Sequence, residues 1–455
     1  MTDKKLVELC QETLESTQRH GADEAEVYGE SVRTITVMIE KDDLQISRAQ
    51  QETMIGVRAL VGKRMGFSAT NDLLALDETS RDAVILAKAS PADEKNILPL
   101  VADIRYVDGI YDPKAESFTI EQAIGYAIQI LDLARGIDRR LILGDGMFSV
   151  EIGERALVNS HVDVSHGDAS HGSVLHEKGS LFNYFALATA RDGDKVSNMD
   201  YQFDASHTVA GIDIEPITRR ACENALGSLG AEKGESFNGT VLLSPNAVQG
   251  ILAGLILFQT NAKNVLRGMS RWGTQIGEPV AAPILSIVDD GLLPAGLATA
   301  SFDREGVAHR RFNLIQEGSL IALMHNSYSA NAMGKESTGH ASGSARSIPG
   351  IGPTNFEILA GEATKDELIG DIKQGLLVTR FSGRADPISG DFSGVAKGAY
   401  LIKNGKLDRP VTGTLVSGNA FQALKDLSGV SQERERVFNF TLPYLRLEGI
   451  SVTAG

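Results

Sequence analysis

The alternation of hydrophobic and polar residues predicts where this chain forms helices and strands. Apolar residues recur at helical spacing from Leu6 to Leu14, and Gly21 follows as a typical helix end. From Glu26 the spacing changes to every second residue, which is typical of strands with one buried face. The stretches RTITVMIE, LQISRAQ, TMIGVRALVG and KRMGFSAT therefore predict an antiparallel meander with a hairpin at Gly62.

Helical spacing returns in three further segments, near 72–90, 119–136 and 213–228. Thr119 and Gln122 form the pattern of a capping box at the start of the second of these helices. Strand-like alternation reappears in FSVEIGERALVNS and in SLFNYFALATARDG. The N-terminal half is therefore predicted to be α/β with an antiparallel sheet.

Periodicity is lost in LGSLGAEKGESFNG, where glycine and charge are dense, and we place a domain boundary there. The predicted domains are 1–230 and 231–455. The second is rich in strands and punctuated by glycine, with helices predicted at 245–259 and at 365–374, the latter opened by a capping box and ended by Gly375. The predicted fold class is α+β, with an N-terminal α/β domain and a mainly β C-terminal domain that has few helices.

Composition narrows the classes of partner. The 455 residues carry 44 Lys and Arg against 59 Asp and Glu, a formal charge of -15. A protein that binds nucleic acid or an anionic membrane needs a local excess of basic residues, so we expect neither partner. The only cysteines, Cys10 and Cys222, fall inside predicted helices without a metal-binding spacing and are expected to be core residues.

The termini and apolar runs bear on location. Glu8 and Glu12 lie where a signal peptide would need an apolar stretch. The longest apolar stretch, 251–258, is less than half of the roughly 20 residues that span a bilayer. We therefore expect a cytoplasmic protein.

Common catalytic signatures are incomplete. The nucleophile motif Gly-x-Ser-x-Gly does not occur, and the segment from Gly56 to Arg64 has the wrong spacing for a phosphate-binding loop and is interpreted as a hairpin. The helix predicted at 245–259 is apolar, and its amides Asn246 and Gln249 do not titrate in the range that a general base needs. Its residues alone indicate a buried packing helix.

Four histidines recur at every fifth residue, at His161, His166, His171 and His176. Clustered imidazoles are metal ligands in many proteins. Residues five apart on an extended strand point to opposite faces, however, so they converge only if turns intervene. An exposed polar hairpin is the preferred interpretation, and a metal site remains the alternative.

Several stretches carry a family resemblance: GEPVAAPILSIVDDGLLPAGLATASFDREGVAHRRFNLIQEG, GHASGSARSIPGIGPTNFEI, GLLVTRFSGRADPISGDFSGVAKGAYLIKNGKL and RPVTGTLVSGNAFQALKDL. Together they resemble the TldD/PmbA family, in particular its PmbA branch, also called TldE. The resemblance covers most of 235–455 and, more weakly, the N-terminal domain.

The resemblance implies a division of labour between two subunits. TldD-type members are zinc peptidases with a His-Glu-x-x-x-His helix and a cysteine near the C-terminus. The segment 245–259 is similar to that helix, but Pro245, Asn246 and Gly250 stand where the two histidines and the glutamate would be, and no cysteine follows Cys222. The resemblance therefore implies a non-catalytic chain without a cofactor of its own, with zinc in a TldD-like partner subunit.

The predicted function is to pair with that zinc-bearing subunit in a metallopeptidase complex and to enclose an unfolded peptide for cleavage or for the processing of peptide precursors. Glycine-rich stretches at 339–352 and 383–398 suit the close backbone approach of a peptide held by strand addition. The candidate peptide-binding residues are Ser342, Arg346, Asn355, Asp386, Ser389 and Asp391. Each of these residue types next to glycine is also typical of a turn.

Two other functions remain open. One is a self-sufficient metallohydrolase that holds its metal on the cluster from His161 to His176. The other is a homodimeric peptide-binding protein with no role in proteolysis. Zinc analysis of the purified chain separates the first alternative from the rest.

Overall fold

The computed structural model describes residues 5–100, 104–161 and 173–455 of the chain. A π-helical turn, Gln249–Ala253, directly joins the helices Pro245–Val248 and Gly254–Thr260. The helices are α1 (Leu6–Arg19), α2 (Leu76–Ala89), α3 (Ile120–Ile137), α4 (Glu215–Gly227), α5 (Pro245–Val248), α6 (Gly254–Thr260), α7 (Ala262–Leu266), α8 (Ser327–Ala332), α9 (Lys365–Gly370) and α10 (Ala420–Lys425).

The first sheet is antiparallel throughout and has the order β3-β2-β1-β4-β5, with β6 and β7 both paired to β5. Its strands are β1 (Glu24–Glu40), β2 (Asp43–Val61), β3 (Arg64–Thr70), β4 (Leu141–Asn159), β5 (Ser173–Asp192), β6 (Lys195–Val196) and β7 (Asp200–Ser206). The predicted hairpin at Gly62 is confirmed, since Gly62 and Lys63 have φ of 53° and 61° between β2 and β3.

The second sheet is mixed, with the order β12-β11-β10-β15-β23-β9-β16-β19-β20-β8 and with β17, β18, β21 and β22 branching from it. Its strands are β8 (Glu232–Lys233), β9 (Phe237–Leu243), β10 (Ile287–Asp290), β11 (Arg311–Gln316), β12 (Ser319–Leu320), β15 (Phe356–Ile358), β16 (Gln374–Val378), β17 (Arg380–Ala385), β18 (Asp391–Lys397), β19 (Ala399–Lys403), β20 (Lys406–Thr412), β21 (Leu415–Asn419), β22 (Leu427–Val437) and β23 (Phe440–Thr453). The two-residue strands β13 (Ala341–Ser342) and β14 (Gly350–Ile351) pair separately. These elements confirm the α+β class.

The alternation of side chains along β1 gives the first sheet two different faces. Ala25 and Val27 pack under α1 and α2, whereas Ile35 and Val37 pack under α3 and α4. Residues at these odd positions share one face of a strand, so all four helices cover the same side of the sheet. Tyr28, at an even position, instead packs in a cluster with residues from the C-terminal half.

Charged residues of the opposite face are buried against the C-terminal half. Glu26 accepts hydrogen bonds from Arg58 at 2.6 Å and from Arg304 at 2.9 Å. Glu305 accepts from Arg58 at 2.7 Å. All four side chains are at most 6% exposed, and we call them the buried ion network. The network joins residues on either side of the predicted boundary at 230. The division into domains 1–230 and 231–455 stays a prediction.

Local sequence signals decide several helix ends. The capping boxes predicted at Thr119 and Thr364 both form, and the side chain of each threonine accepts a backbone N–H from the third residue of its helix. The predicted helix end at Gly375 is wrong, since α9 ends at Gly370. Gly375 lies in β16, where a Cβ would come within 2.8 Å of the Thr240 carbonyl oxygen on β9. Close strand pairing explains this glycine.

Both cysteines are buried and free, in α1 and α4, which confirms their interpretation as core residues. Within the described residues, no helix has the length and apolar character needed to cross a membrane.

Candidate functional site

The helical run from α5 through α6 forms the centre of the candidate site. It begins after β9, where the Ser244 hydroxyl donates to the Thr379 carbonyl at 2.5 Å and accepts from the Ala247 N–H at 3.4 Å. Pro245 occupies the first turn, where its missing N–H costs nothing. The π turn that interrupts the helix is a feature found frequently at functional sites.

One side of this run is apolar and buried, and the other side carries small residues. Gly250 and Gly254 are exposed and Asn246 is half-buried, and their spacing of four residues places them on one face. A Cβ at Gly250 would meet only Phe381, at 3.5 Å, and one at Gly254 would meet nothing within 4 Å. Pro245 is buried, so of the three residues that the family resemblance aligns with the zinc motif, only Asn246 and Gly250 share this open face.

Strand β17 lies next to the open face and forms an edge of its sheet. Among the described strands it pairs only with β18, and its residues Ser382, Gly383 and Arg384 are exposed. Gly383 and Gly394 oppose each other across the ladder, where a Cβ on either would approach the other backbone to 2.6 Å or less. An edge strand with free backbone groups is a surface to which an extended peptide adds as a further strand.

Of the predicted peptide-binding residues, Asp386 and Ser389 lie in the turn between β17 and β18, and Asp391 begins β18. Asp386 accepts the backbone N–H groups of Ile388 at 2.9 Å and Ser389 at 3.1 Å. These bonds, with Arg384, hold the pKa of the Asp386 carboxyl below its usual range. Ser389 accepts the N–H of Asp391, and Asp391 accepts from the Asn419 side chain at 2.9 Å.

Two further predicted residues lie in the β13–β14 hairpin. Ser342 is half-buried and pairs with Gly350. Arg346 is exposed and forms an ion pair with Glu52 on β2, so it joins the hairpin to the N-terminal half.

Asn355, unlike the other predicted peptide-binding residues, is buried, and its side-chain amide is fully hydrogen-bonded within the protein. It is 2% exposed, and its side-chain nitrogen donates to the Asp290 carbonyl at 2.7 Å and to Thr299 at 2.9 Å. Its side-chain oxygen accepts the Ala298 N–H at 2.9 Å. The amide therefore closes the loop after β10.

Sequence reasoning missed two polar residues at the end of the helical run. Gln259 is fully buried and donates to the Pro387 carbonyl at 2.6 Å, and Asn261 donates to the Ile351 carbonyl at 3.3 Å. They tie the β17–β18 turn and the β13–β14 hairpin to one helix end. The signal that could have found them is their polarity immediately after the apolar run ILAGLILF.

Asn246 lines a cavity of about 520 Å³ between the two halves of the chain. Aromatic side chains from both halves share it, and Phe438 lies 4.6 Å from Phe203 between ring centroids. Arg434 also lines this cavity and forms an ion pair with Glu357 at 3.0 Å.

The described members of the histidine cluster each face a carboxylate. His161 lies 2.9 Å from Glu24, and His176 lies 3.0 Å from Glu154. His166 and His171 lie outside the described residues. Among the described residues, no three His, Cys, Asp or Glu side chains are grouped so as to hold a metal ion.

Comparison with known proteins decides the family. The sequence profile of the PmbA/TldA metallopeptidase C-terminal domain matches residues 236–454, and that of PmbA/TldA metallopeptidase domain 1 matches residues 25–87. Together these matches cover more than half of the chain. The chain belongs to the TldD/PmbA family.

Relatives from both branches of the family match almost the whole chain. The metalloprotease TldD homolog of Buchnera aphidicola subsp. Acyrthosiphon pisum is 26% identical over 94% of this chain and 87% of its own length. Metalloprotease PmbA of Escherichia coli O157:H7 is 23% identical over 98% of this chain and 97% of its own. The crystal structure of TldE from Thermococcus kodakarensis superposes with a TM-score of 0.87 at 22% identity, covering 98% of this chain and 100% of that one, and so shows the fold.

Proposed function

We propose that this chain is the non-catalytic, TldE-like subunit of a TldD/TldE-type zinc metallopeptidase, and that it holds unfolded peptides for a zinc-bearing TldD-like partner. The observation that carries the proposal is the open face of the helical run, which has Asn246 and Gly250 at two zinc-motif positions. A catalytic zinc site needs three protein ligands and a base that activates the bound water. A side-chain amide, a glycine and a buried proline supply none of these, so the residues at this helix do not fit zinc.

The same geometry supports a role in holding peptide. Gly250 and Gly254 leave space along the helix, and the edge of β17 runs beside it. Main-chain hydrogen bonds to such an edge bind peptides with little sequence selection. The turn containing Asp386 and the hairpin containing Arg346 flank the helix end through Gln259 and Asn261.

Reconstitution tests the proposed division of labour. We expect the purified chain to cleave no unfolded reporter peptide, and a mixture with a TldD-like protein that contains His-Glu-x-x-x-His to cleave it. A zinc chelator should abolish that activity. The measurement is the cleavage rate of an internally quenched peptide, with each protein alone as the control.

Other outcomes would favour the alternatives. Cleavage by this chain alone that is lost in His161→Gln and His176→Gln would indicate a self-sufficient metallohydrolase. Peptide binding without any effect on the TldD-like protein would indicate a separate peptide-binding protein.

Substitution of Gly250 and Gly254 tests whether the open face of the helical run binds peptide. Gly250→Ala and Gly254→Ala should each raise the free energy of unfolding by about 0.5–1 kcal/mol, because alanine favours a helix over glycine and neither Cβ meets an obstacle. Both variants should nevertheless reduce peptide cleavage in the reconstituted mixture, because each methyl group occupies part of the open face of the helical run.

Gly125→Ala in α3 is the matched control, since its Cβ also meets nothing within 4 Å and it lies on a different helix. It should stabilise the chain equally and leave cleavage unchanged. If the variants at 250 and 254 keep full activity, peptide does not bind at this face.

A further inference from the structure

A second cleft lies between the two halves of the chain, beyond the C-terminal end of the helical run. Its volume is about 560 Å³, within the range of small-ligand sites. The N-terminal half contributes β2, β3 and the loop after α2. The C-terminal half contributes α7, the start of α8 and the tip of the β13–β14 hairpin.

The charge lining this cleft is positive. Lys95, Lys263 and Arg267 line it, and none of them forms an ion pair within the described part of the chain. The single lining carboxylate, Asp93, accepts the backbone N–H of Lys95 at 3.0 Å and the hydroxyl of Tyr328 at 2.9 Å. Three cations against one carboxylate, in a chain of net charge -15, favour an anionic ligand at this place.

Apolar side chains also line the cleft, and its walls are held in place. Leu266 and Ile348 line the cleft and are 39% and 45% exposed, so their apolar side chains are accessible to a ligand beside the cations. Asn331 donates to the carbonyls of Glu94 and Lys95, at 3.3 and 3.1 Å, and so fastens the loop of one half to α8 of the other.

We propose that this cationic cleft binds a ligand that joins an apolar body to one carboxylate, whether the last residue of a peptide or a free organic acid. Ammonium and guanidinium groups form charge-assisted hydrogen bonds to a carboxylate. Leu266 and Ile348 accommodate the apolar body. The site belongs to this chain alone, so its test needs no partner subunit and is independent of the proposed peptidase role.

Calorimetric titration with three probes tests the proposal: acetyl-Ala-Ala-Phe with a free carboxylate, the same peptide as its C-terminal amide, and 3-phenylpropionate. At least one of the two acids should bind. Amidation of the peptide should weaken its affinity for the cleft by about tenfold or more, because it removes a charge-assisted interaction. The double variant Lys263→Gln/Arg267→Gln should lose affinity for the acids by at least a similar factor. Lys406→Gln, which removes an exposed cation elsewhere, should bind as the wild type does.

The relative affinities assign the source of the ligand. Binding of 3-phenylpropionate as tight as that of the acid peptide points to free organic acids, and much weaker binding points to peptide C-termini. Equal binding of acid and amide, failure of all three probes to bind, or unchanged affinity in the double variant would overturn the proposal. Thermal unfolding of each variant confirms that it is folded.

Discussion

Glu305→Gln is expected to lower the free energy of unfolding by about 3–5 kcal/mol, because it removes one charge from the buried ion network. Glu305 is fully buried, and its two oxygens accept from Arg58 and from the Ser327 N–H, each at 2.7 Å. The network contains two arginines and two glutamates, so the substitution leaves one uncompensated positive charge out of water. The measurement is chemical denaturation of wild type and variant at neutral pH.

The exposed ion pair between Arg346 and Glu52 provides the matched control. Its side chains are 58% and 46% exposed, so solvent screens the pair and Glu52→Gln should lower the free energy of unfolding far less than Glu305→Gln does. Arg58→Met combined with Glu305→Gln should cost less than the sum of the single substitutions, because Glu26 and Arg304 remain paired. A cost for Glu305→Gln no greater than that for Glu52→Gln would contradict this account of the network.

Acid should destabilise the protein through histidines that are buried without charge. His325 is 5% exposed, and burial lowers its pKa to about 4. The unfolded chain takes up a proton at this residue below about pH 6.5, whereas the folded chain does not until about pH 4. Its contribution to stability is therefore fully present above pH 6.5 and lost as pH falls towards 4, by about 1.4 kcal/mol per pH unit and about 3 kcal/mol in total.

His325→Asn isolates this contribution. The pH dependence of the variant between 6.5 and 4 should be shallower than that of the wild type by about 1.4 kcal/mol per pH unit. Asp303 acts in the opposite direction, because burial raises its pKa to about 7 and its contribution is lost as pH rises from about 4. That contribution is common to both proteins and cancels in the difference. Parallel pH profiles would show that His325 is not neutral in the folded state.

Much of the fold could be predicted because its signals are local. The helical spacing from Leu6 to Leu14, the capping box at Thr119 and the turn at Gly62 each involve residues within a few positions of one another. Such contacts form with a small loss of chain entropy, so their residue types are visible in short windows of sequence. Gly375 was misassigned because the reason for it lies on another strand, β9.

The candidate site could be predicted only in part, for a related reason. The turn containing Asp386 and Ser389 was identified because aspartate and serine beside glycine favour turns. That Gln259 anchors this turn could not be predicted, because its hydrogen bond to the Pro387 carbonyl joins residues 128 positions apart. Asn355 is predicted as a peptide contact, and an asparagine side chain can bind a peptide backbone. In the structure it is buried and its side chain closes the loop after β10.

The sequence alone determined that the N-terminal half forms an antiparallel sheet accompanied by four helices. It could not determine what covers the face of the sheet that lies away from these helices. Alternation places Glu26 and Arg58 opposite the apolar positions, which normally means exposure to water. The tertiary structure buries them because Arg304, 278 positions from Glu26, brings the compensating charge. A buried charge is stable only with its partner, and the partner is set by the fold.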